Sequence, residues 1–389
     1  MFDNATHFVF TLTDTVGGIE IPDWAITSAE LGIKSSPSFS VQKRTLHGGR
    51  QEGSTTITVR AGHFAVTLVP TRGMNIFNVT SGPACYGWAS PVDEIVNPAY
   101  VNLTGRAGLG WLEGFNEMMV RCGFEWTGHP VTDEPIRYTL HGRAGSTPAS
   151  QVVVAIERAA PHRITVAGLI KEKAFKLADY ETWATVSLVP GETRLSLADT
   201  LTNLSDYERP YQIIYHTNFG RPVLEQDASI VSAMARVAPF GAGKDASPAW
   251  DRYLGPTRDY DEFLFIGEPM ADANGRTAVA LVNATSTLGV MMSYPVAELP
   301  VFTLWKNTDT ERQGYVTGLE PGTNFPYRRP LEEKAGRVRK LAPGAATSFH
   351  IDIDFLGSAA AVTDAKTRIA AIAAGRQPVM ESEPVYLPK

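Results

Sequence analysis

The feature that most restricts the fold is a period of two that recurs in short runs along most of the chain. Residues 55–60 (TTITVR) alternate along the run, and residues 63–69 (HFAVTLV) follow directly across Ala61-Gly62. Two such runs joined by so short a turn read as a β-hairpin. The pattern returns at residues 151–157, 163–172, 182–189, 193–202 and 211–215, then at 277–282, 288–294, 301–305 and 348–355. Residues 8–12 form a further short strand, and Pro190-Gly191 and Pro343-Gly344 mark tight turns. No helical period separates these runs. Strands at this density, joined without helices, bury one face against another sheet. The expected fold is therefore all-β, a large antiparallel β-sandwich.

Departures from the pattern set the organisation. Residues 28–33 read as a helical turn, and residues 359–374 (AAAVTDAKTRIAAIAA), ended by Gly375, as the one long helix. Residues 91–130 are rich in Gly, Asn and aromatics and lack a clear period, as expected of a functional loop. No composition shift marks a second domain. The expectation is a single domain over residues 1–389: an N-terminal extension (1–50), a sandwich core (55–356), a C-terminal helix (359–375) and an extended tail (377–389) holding three prolines. The N-terminal segment and the helix are the elements offered for a homodimer.

The net charge of −6 argues against nucleic acid or an anionic membrane as partner. No apolar run approaches the roughly 20 residues of a membrane span. The two cysteines, Cys85 and Cys122, are too few for a disulfide framework, which points to the cytoplasm. These bounds leave a small molecule as the expected ligand.

Three stretches carry residue types suited to proton transfer. Gly318-Leu319-Glu320-Pro321-Gly322-Thr323-Asn324-Phe325-Pro326 places Glu320 where a strand gives way to rigid turn residues. Leu140-His141-Gly142-Arg143 and Tyr215-His216-Thr217-Asn218-Phe219-Gly220 each place a histidine at a strand border, beside glycine and polar residues. Each of these residues, taken alone, also reads as a solvated turn glutamate or a hydrogen-bonded structural histidine. Trp111, Phe115, Phe124 and Trp126 offer flat faces to a sugar ring or cap the core. Arg72, in a Pro-Thr-Arg-Gly turn, and Trp305, at the end of a strand, are further candidates. An earlier Leu46-His47-Gly48-Gly49 resembles the first histidine motif but precedes the sheet strands, so it is set aside.

In that order, LHGR, a strand ending in YHTNFG, and LEPGTNFP resemble the motifs of the aldose 1-epimerases, the galactose mutarotases. The likeness spans residues 55–355 in order and spacing. TRGMNIFNV (71–79), GWASPVDEIVNPAY (87–100) and GLGWLEGF (108–115) look more like a bacterial, mostly uncharacterised branch of mutarotase-like proteins. Two positions depart from the pattern: Tyr215 precedes His216 where the mutarotases have Asn, and Arg143 replaces a small residue.

The resemblance implies an isomerase that interconverts sugar anomers by ring opening and closure, without metal or organic cofactor. It implies Glu320 as general base and His216 as general acid, with His141 orienting the sugar and Arg143 and Asn324 assisting. Asn218, Arg72 and Trp305 complete the expected binding set. A carboxylate suits the base, and an imidazole titrating near neutrality suits the acid. Two arginines near a sugar suggest an acidic or oxidised substrate. Two other readings stand beside this one. His141, His216 and Glu320 would suit a two-histidine, one-carboxylate metal site in a sugar isomerase or lyase. A noncatalytic carbohydrate-binding protein would keep the aromatic cleft without needing an acid–base pair.

Overall fold

A computed structural model of the chain describes residues 2–241 and 249–382. Two large sheets form its frame, one of ten strands and one of fourteen. In the ten-stranded sheet, Asp179–Leu188 and Arg194–Asn203 alternate buried and more exposed residues almost without interruption. One face of that sheet packs on the core and the other meets solvent. The larger sheet differs at its centre. From Tyr211 to Phe219 in the Arg209–Phe219 strand, and throughout Val316–Gly322, every residue is buried. A strand buried on both faces has something covering its outer side, and here that covering is the wall of the site.

The core between the sheets joins Leu195, Leu197, Ile351 and Ile353 of the smaller sheet to Ile213, Tyr215, Leu304 and Leu319 of the larger. A polar clamp crosses this interface. Arg121 donates to Asp199 through Nε (2.6 Å) and Nη2 (3.1 Å), and both side chains are fully buried. The Tyr215 hydroxyl donates to the same carboxylate at 2.9 Å. Removing one partner would strand a buried charge, at a cost of about 3–5 kcal/mol. The clamp thus holds the strands carrying Arg121 and Tyr215 against the other sheet, directly behind His216.

The hairpin formed by Thr55–Ala61 and Phe64–Val69 is as expected, with Gly62 at φ 61° in its turn. The C-terminal helix spans Ala359–Ala373. Ser358 caps its start by accepting the Ala361 amide, and Val362, Ala365 and Ile369 pack on Ala278, Ala280 and Met291 of the ten-stranded sheet. Spacings of three and four residues make that apolar stripe.

Four expectations change. Residues 28–33 form hydrogen-bonded turns without a helix. The first fifty residues contribute His7–Asp14 to the smaller sheet and Phe39–Thr45 to the larger, so they are woven into both. Residues 91–130 are not one loop. They contain Met119–Phe124, a central strand paired with Arg209–Phe219 and disguised by Arg121, Cys122 and Gly123. In the tail, Val379–Met380 bridges in parallel to Met234–Pro239, and residues 383–389 lie outside the described residues. Among the described residues no helix is long and apolar enough to cross a membrane.

Candidate active site

Sheet register brings the two principal residues together. The antiparallel pairing of Arg209–Phe219 with Val316–Gly322 sets Thr217 opposite Leu319 and Asn218 opposite Gly318. By the same register His216 lies opposite Glu320. Directly opposed side chains project from the same face with their Cβ atoms about 5 Å apart. His216 Nε2 and Glu320 Oε1 approach to 3.2 Å, with 6% and 2% of the side chains exposed. The adjacent row of the sheet runs Leu264, Trp305, Gly318, Asn218. Its glycine leaves room for the pair, because a Cβ at Gly318 would stand 2.5 Å from Glu320 Oε1 and 3.3 Å from both His216 Cε1 and Trp305 Cε3.

The imidazole has a defined tautomer. Asn218 donates through Nδ2 to the carbonyl oxygens of Glu117 (3.0 Å) and His216 (3.2 Å), which turns its Oδ1 toward His216 Nδ1 at 2.6 Å. An amide oxygen only accepts, so Nδ1 carries a hydrogen and Nε2 faces Glu320 with its lone pair. Glu117 is held in turn by Arg72, whose guanidinium also donates to the carbonyls of Val96 (3.1 Å) and Gly114 (2.9 Å). Arg72 and Asn218, expected to bind substrate, instead anchor the loop beneath the site and orient the imidazole. Both are buried away from the cavity wall.

The cavity in front of the pair measures about 210 Å³. On one side the loop before Met119–Phe124 supplies Leu109, Leu112 and the stacked pair Trp111–Phe115, whose ring centroids are 4.4 Å apart. The other side carries His141, in the left-handed region at φ 57° and followed by Gly142 at φ 74°. A side chain at Gly142 would run into the Trp126 and Gly123 carbonyls, so this turn requires glycine. The His141 ring lies 5.3 Å from His216 and 4.8 Å from Trp111. Trp305 closes the floor, its Nε1 donating to Glu262 Oε2 at 2.7 Å. His129, Leu140, Leu264 and Pro326 complete the wall.

Burial governs the charges. Desolvation, with a contribution from nearby Glu262, pushes the Glu320 carboxyl well above the usual carboxylate range. Desolvation also lowers His216 to about 4, against a smaller upward effect of its bond to Asn218. His141 falls well below its usual value, through burial and its neighbours His216 and His129. Burial thus favours the neutral forms, a protonated Glu320 carboxyl and uncharged imidazoles. Although Oε1 lies close to Nε2, the approach is not aligned as a hydrogen bond, and Oε1 has no hydrogen-bond partner among the described residues. Trp111 Nε1, also buried, likewise has none.

Glu320, His216, His141 and Trp305 thus share one cavity. Arg143 does not reach it: its Nη2 donates to Glu125 at 3.0 Å and the guanidinium sits over the Trp126 ring. Asn324 is buried in its own turn, donating to the Phe325 carbonyl at 2.8 Å and accepting from Thr323 at 3.1 Å. With both arginines elsewhere and Glu262 on the wall, the basis for expecting an acidic sugar is gone. Phe124 lies in the core, and Trp126 is tied to the Thr139 carbonyl. Sequence reasoning missed His129, Glu262 and Leu264. The histidine motif at His141, Trp305 and the aromatic clustering around Trp111 and Phe115 signalled other parts of the wall in advance. Among the described residues no group of three or more His, Cys, Asp or Glu side chains is placed to hold a metal ion.

Residues 51–355 match the family described as "Domain of unknown function (DUF4432)". No curated protein matches the sequence. A solved structure from Klebsiella pneumoniae subsp. pneumoniae MGH 78578, of a protein provisionally named an aldose 1-epimerase, is 45% identical, covers 97% of this chain and 99% of its own, and superposes with a TM-score of 0.94. A galactose mutarotase-like protein from Clostridium acetobutylicum shares the fold at 13% identity, over 86% of this chain and 98% of its own, with a TM-score of 0.55. A protein from Escherichia coli K12, also provisionally named an aldose 1-epimerase, does so at 14% identity over 78% and 99%, with a TM-score of 0.51.

Proposed function

The chain belongs to the DUF4432 family within the galactose mutarotase-like superfamily, and we propose that it interconverts the anomers of an aldose by acid–base ring opening and closure. The observation that carries this reading is the buried His216–Glu320 pair, 3.2 Å apart and facing one cavity. Anomerisation exchanges protons at O1 and at the ring oxygen, and both oxygens are bonded to the same carbon. An acid and a base that serve them must therefore be near neighbours, within hydrogen-bond reach of adjoining atoms.

The pair begins with one exchangeable proton, on Glu320. In ring opening His216 Nε2 takes the O1 proton while Glu320 delivers its own to the ring oxygen. The bond from C1 to the ring oxygen breaks and C1 becomes a carbonyl. The protein is left with imidazolium beside carboxylate, whose attraction at this separation offsets part of the cost of burying both charges. After rotation about C1–C2, closure reverses the transfers. In closure His216 acts as acid and Glu320 as base, whereas the family resemblance implies those roles in ring opening, with Glu320 taking the O1 proton and His216 protonating the ring oxygen. Each turnover visits both states, so the pair is the catalytic unit rather than either residue alone. His141 and the Trp111–Phe115 stack would hold the ring against this pair, and Asn218 keeps the imidazole in the competent tautomer.

The test is anomer exchange followed by NMR over a panel of neutral aldoses and uronates. Glu320→Gln and His216→Ala are each expected to lose about two orders of magnitude or more. Wild-type exchange in either variant, or none on any sugar, would refute the assignment.

A further inference from the structure

We infer that the sugar taken by this cavity is a neutral deoxy aldose, one that presents a methyl or methylene where a common aldose carries a hydroxyl. This rests on the anomer-exchange reading of the His216–Glu320 pair and concerns what else touches the ring. The cavity, about 210 Å³, has room for one ring and not for a chain of them. His216 and Glu320 are committed to the anomeric carbon. The remaining walls are mainly hydrocarbon: Leu109, Leu112, Leu140 and Leu264, with Pro326 and the aromatic rings.

Aromatic faces suit the C–H face of any sugar. Branched aliphatic side chains do not, because they offer a hydroxyl nothing to bond with. Set against a methyl or methylene, the same leucines gain apolar contact. Polar recognition is confined to a few points. His141 stands beside His216, and the buried Trp111 Nε1 has no acceptor among the described residues. His129 and Glu262 stand on the side shared with a neighbouring groove of about 510 Å³. With carboxyl groups and no arginine or lysine on the described wall, the site is also matched to an uncharged ring.

The experiment compares kcat/KM for anomer exchange between matched pairs: 2-deoxyglucose with glucose, 2-deoxyribose with ribose, and 6-deoxygalactose with galactose. Apolar pockets reject an added hydroxyl by about tenfold to a hundredfold, so at least one deoxy member should exceed its parent by about tenfold. Leu264→Asn, which places a hydrogen-bonding group in the wall, should shrink that ratio, and the wild-type comparison stands even if the variant folds poorly. Parent sugars turned over as well as or better than every deoxy partner would overturn the inference while leaving the acid–base reading intact. Absence of exchange on all six would instead refute the reading beneath it, and the inference with it.

Discussion

Gly318→Ala is a single-methyl perturbation aimed at the catalytic pair. The added Cβ would lie 2.5 Å from Glu320 Oε1, whereas ordinary contact begins at 3.4 Å, so the carboxyl must retreat by about 0.9 Å. The same methyl also crowds His216 Cε1 and Trp305 Cε3, each at 3.3 Å. Gly318 lies inside a strand with no positive φ, so alanine meets no backbone penalty there. Overpacking of this kind costs about 1–3 kcal/mol of stability. The catalytic cost should be larger, because displacing a reacting group by about 1 Å can reduce the rate about a hundredfold. The expected outcome is a folded protein whose kcat for anomer exchange falls by about two orders of magnitude, with KM changed far less. Exchange rates by saturation-transfer NMR, beside a thermal melt, measure both quantities. Wild-type kcat in a folded Gly318→Ala protein would show that the position of Glu320 is not critical and refute the assignment.

Two further outcomes follow from the buried groups. Asn218→Leu removes the acceptor of His216 Nδ1–H, so nitrogen-15 NMR of the imidazole should change from one tautomer to a mixture, with kcat reduced about tenfold or more and KM nearly unchanged. An unaltered tautomer would remove Asn218 as the positioning residue. Glu172, buried and accepting the Phe124 amide at 2.6 Å, is raised by desolvation from 4.5 to about 7. The folded state therefore holds a proton that the unfolded chain releases, and this contribution is full below pH 4.5 and lost as pH rises through 7. The shift corresponds to roughly 3 kcal/mol. Glu172→Gln should therefore gain stability relative to the parent between pH 4.5 and 8, by urea titration at each pH, and a constant difference across that range would contradict the placement of this carboxyl.

The all-β architecture was legible because a sheet with one wet face writes its period into the residues. Asp179–Leu188 and Arg194–Asn203 alternate in sequence because they alternate in burial. Where both faces are covered that record is lost. Met119–Phe124 carries Arg121 and Cys122 in full burial, which no pattern of polarity predicts, since Arg121 is stabilised there by Asp199, 78 residues later, and by the Met74 carbonyl. His216 and Glu320 could be named from short motifs, although both lie inside paired strands, Arg209–Phe219 and Val316–Gly322, and not at a strand border or a turn as expected. Their 3.2 Å approach could not, since it depends on the register between two strands about a hundred residues apart.

The arginines show the opposite limit. From sequence alone Arg72 and Arg143 are simply cations near a sugar motif. Glu117 and Glu125, which tertiary packing brings to them, turn the first into an anchor and draw the second out of the cavity. Leu109, Leu112 and Leu264 read as ordinary apolar residues until the loops fold over the sheet and make them a wall. What the sequence determined by itself was the period, hence the sheets, and the chemistry-bearing residues. The tertiary structure alone decided which of those residues face one another, and so which charges are paired, which are neutralised by burial, and which remain available to a substrate. Pairing and burial depend on distance through space, and sequence separation does not encode that distance.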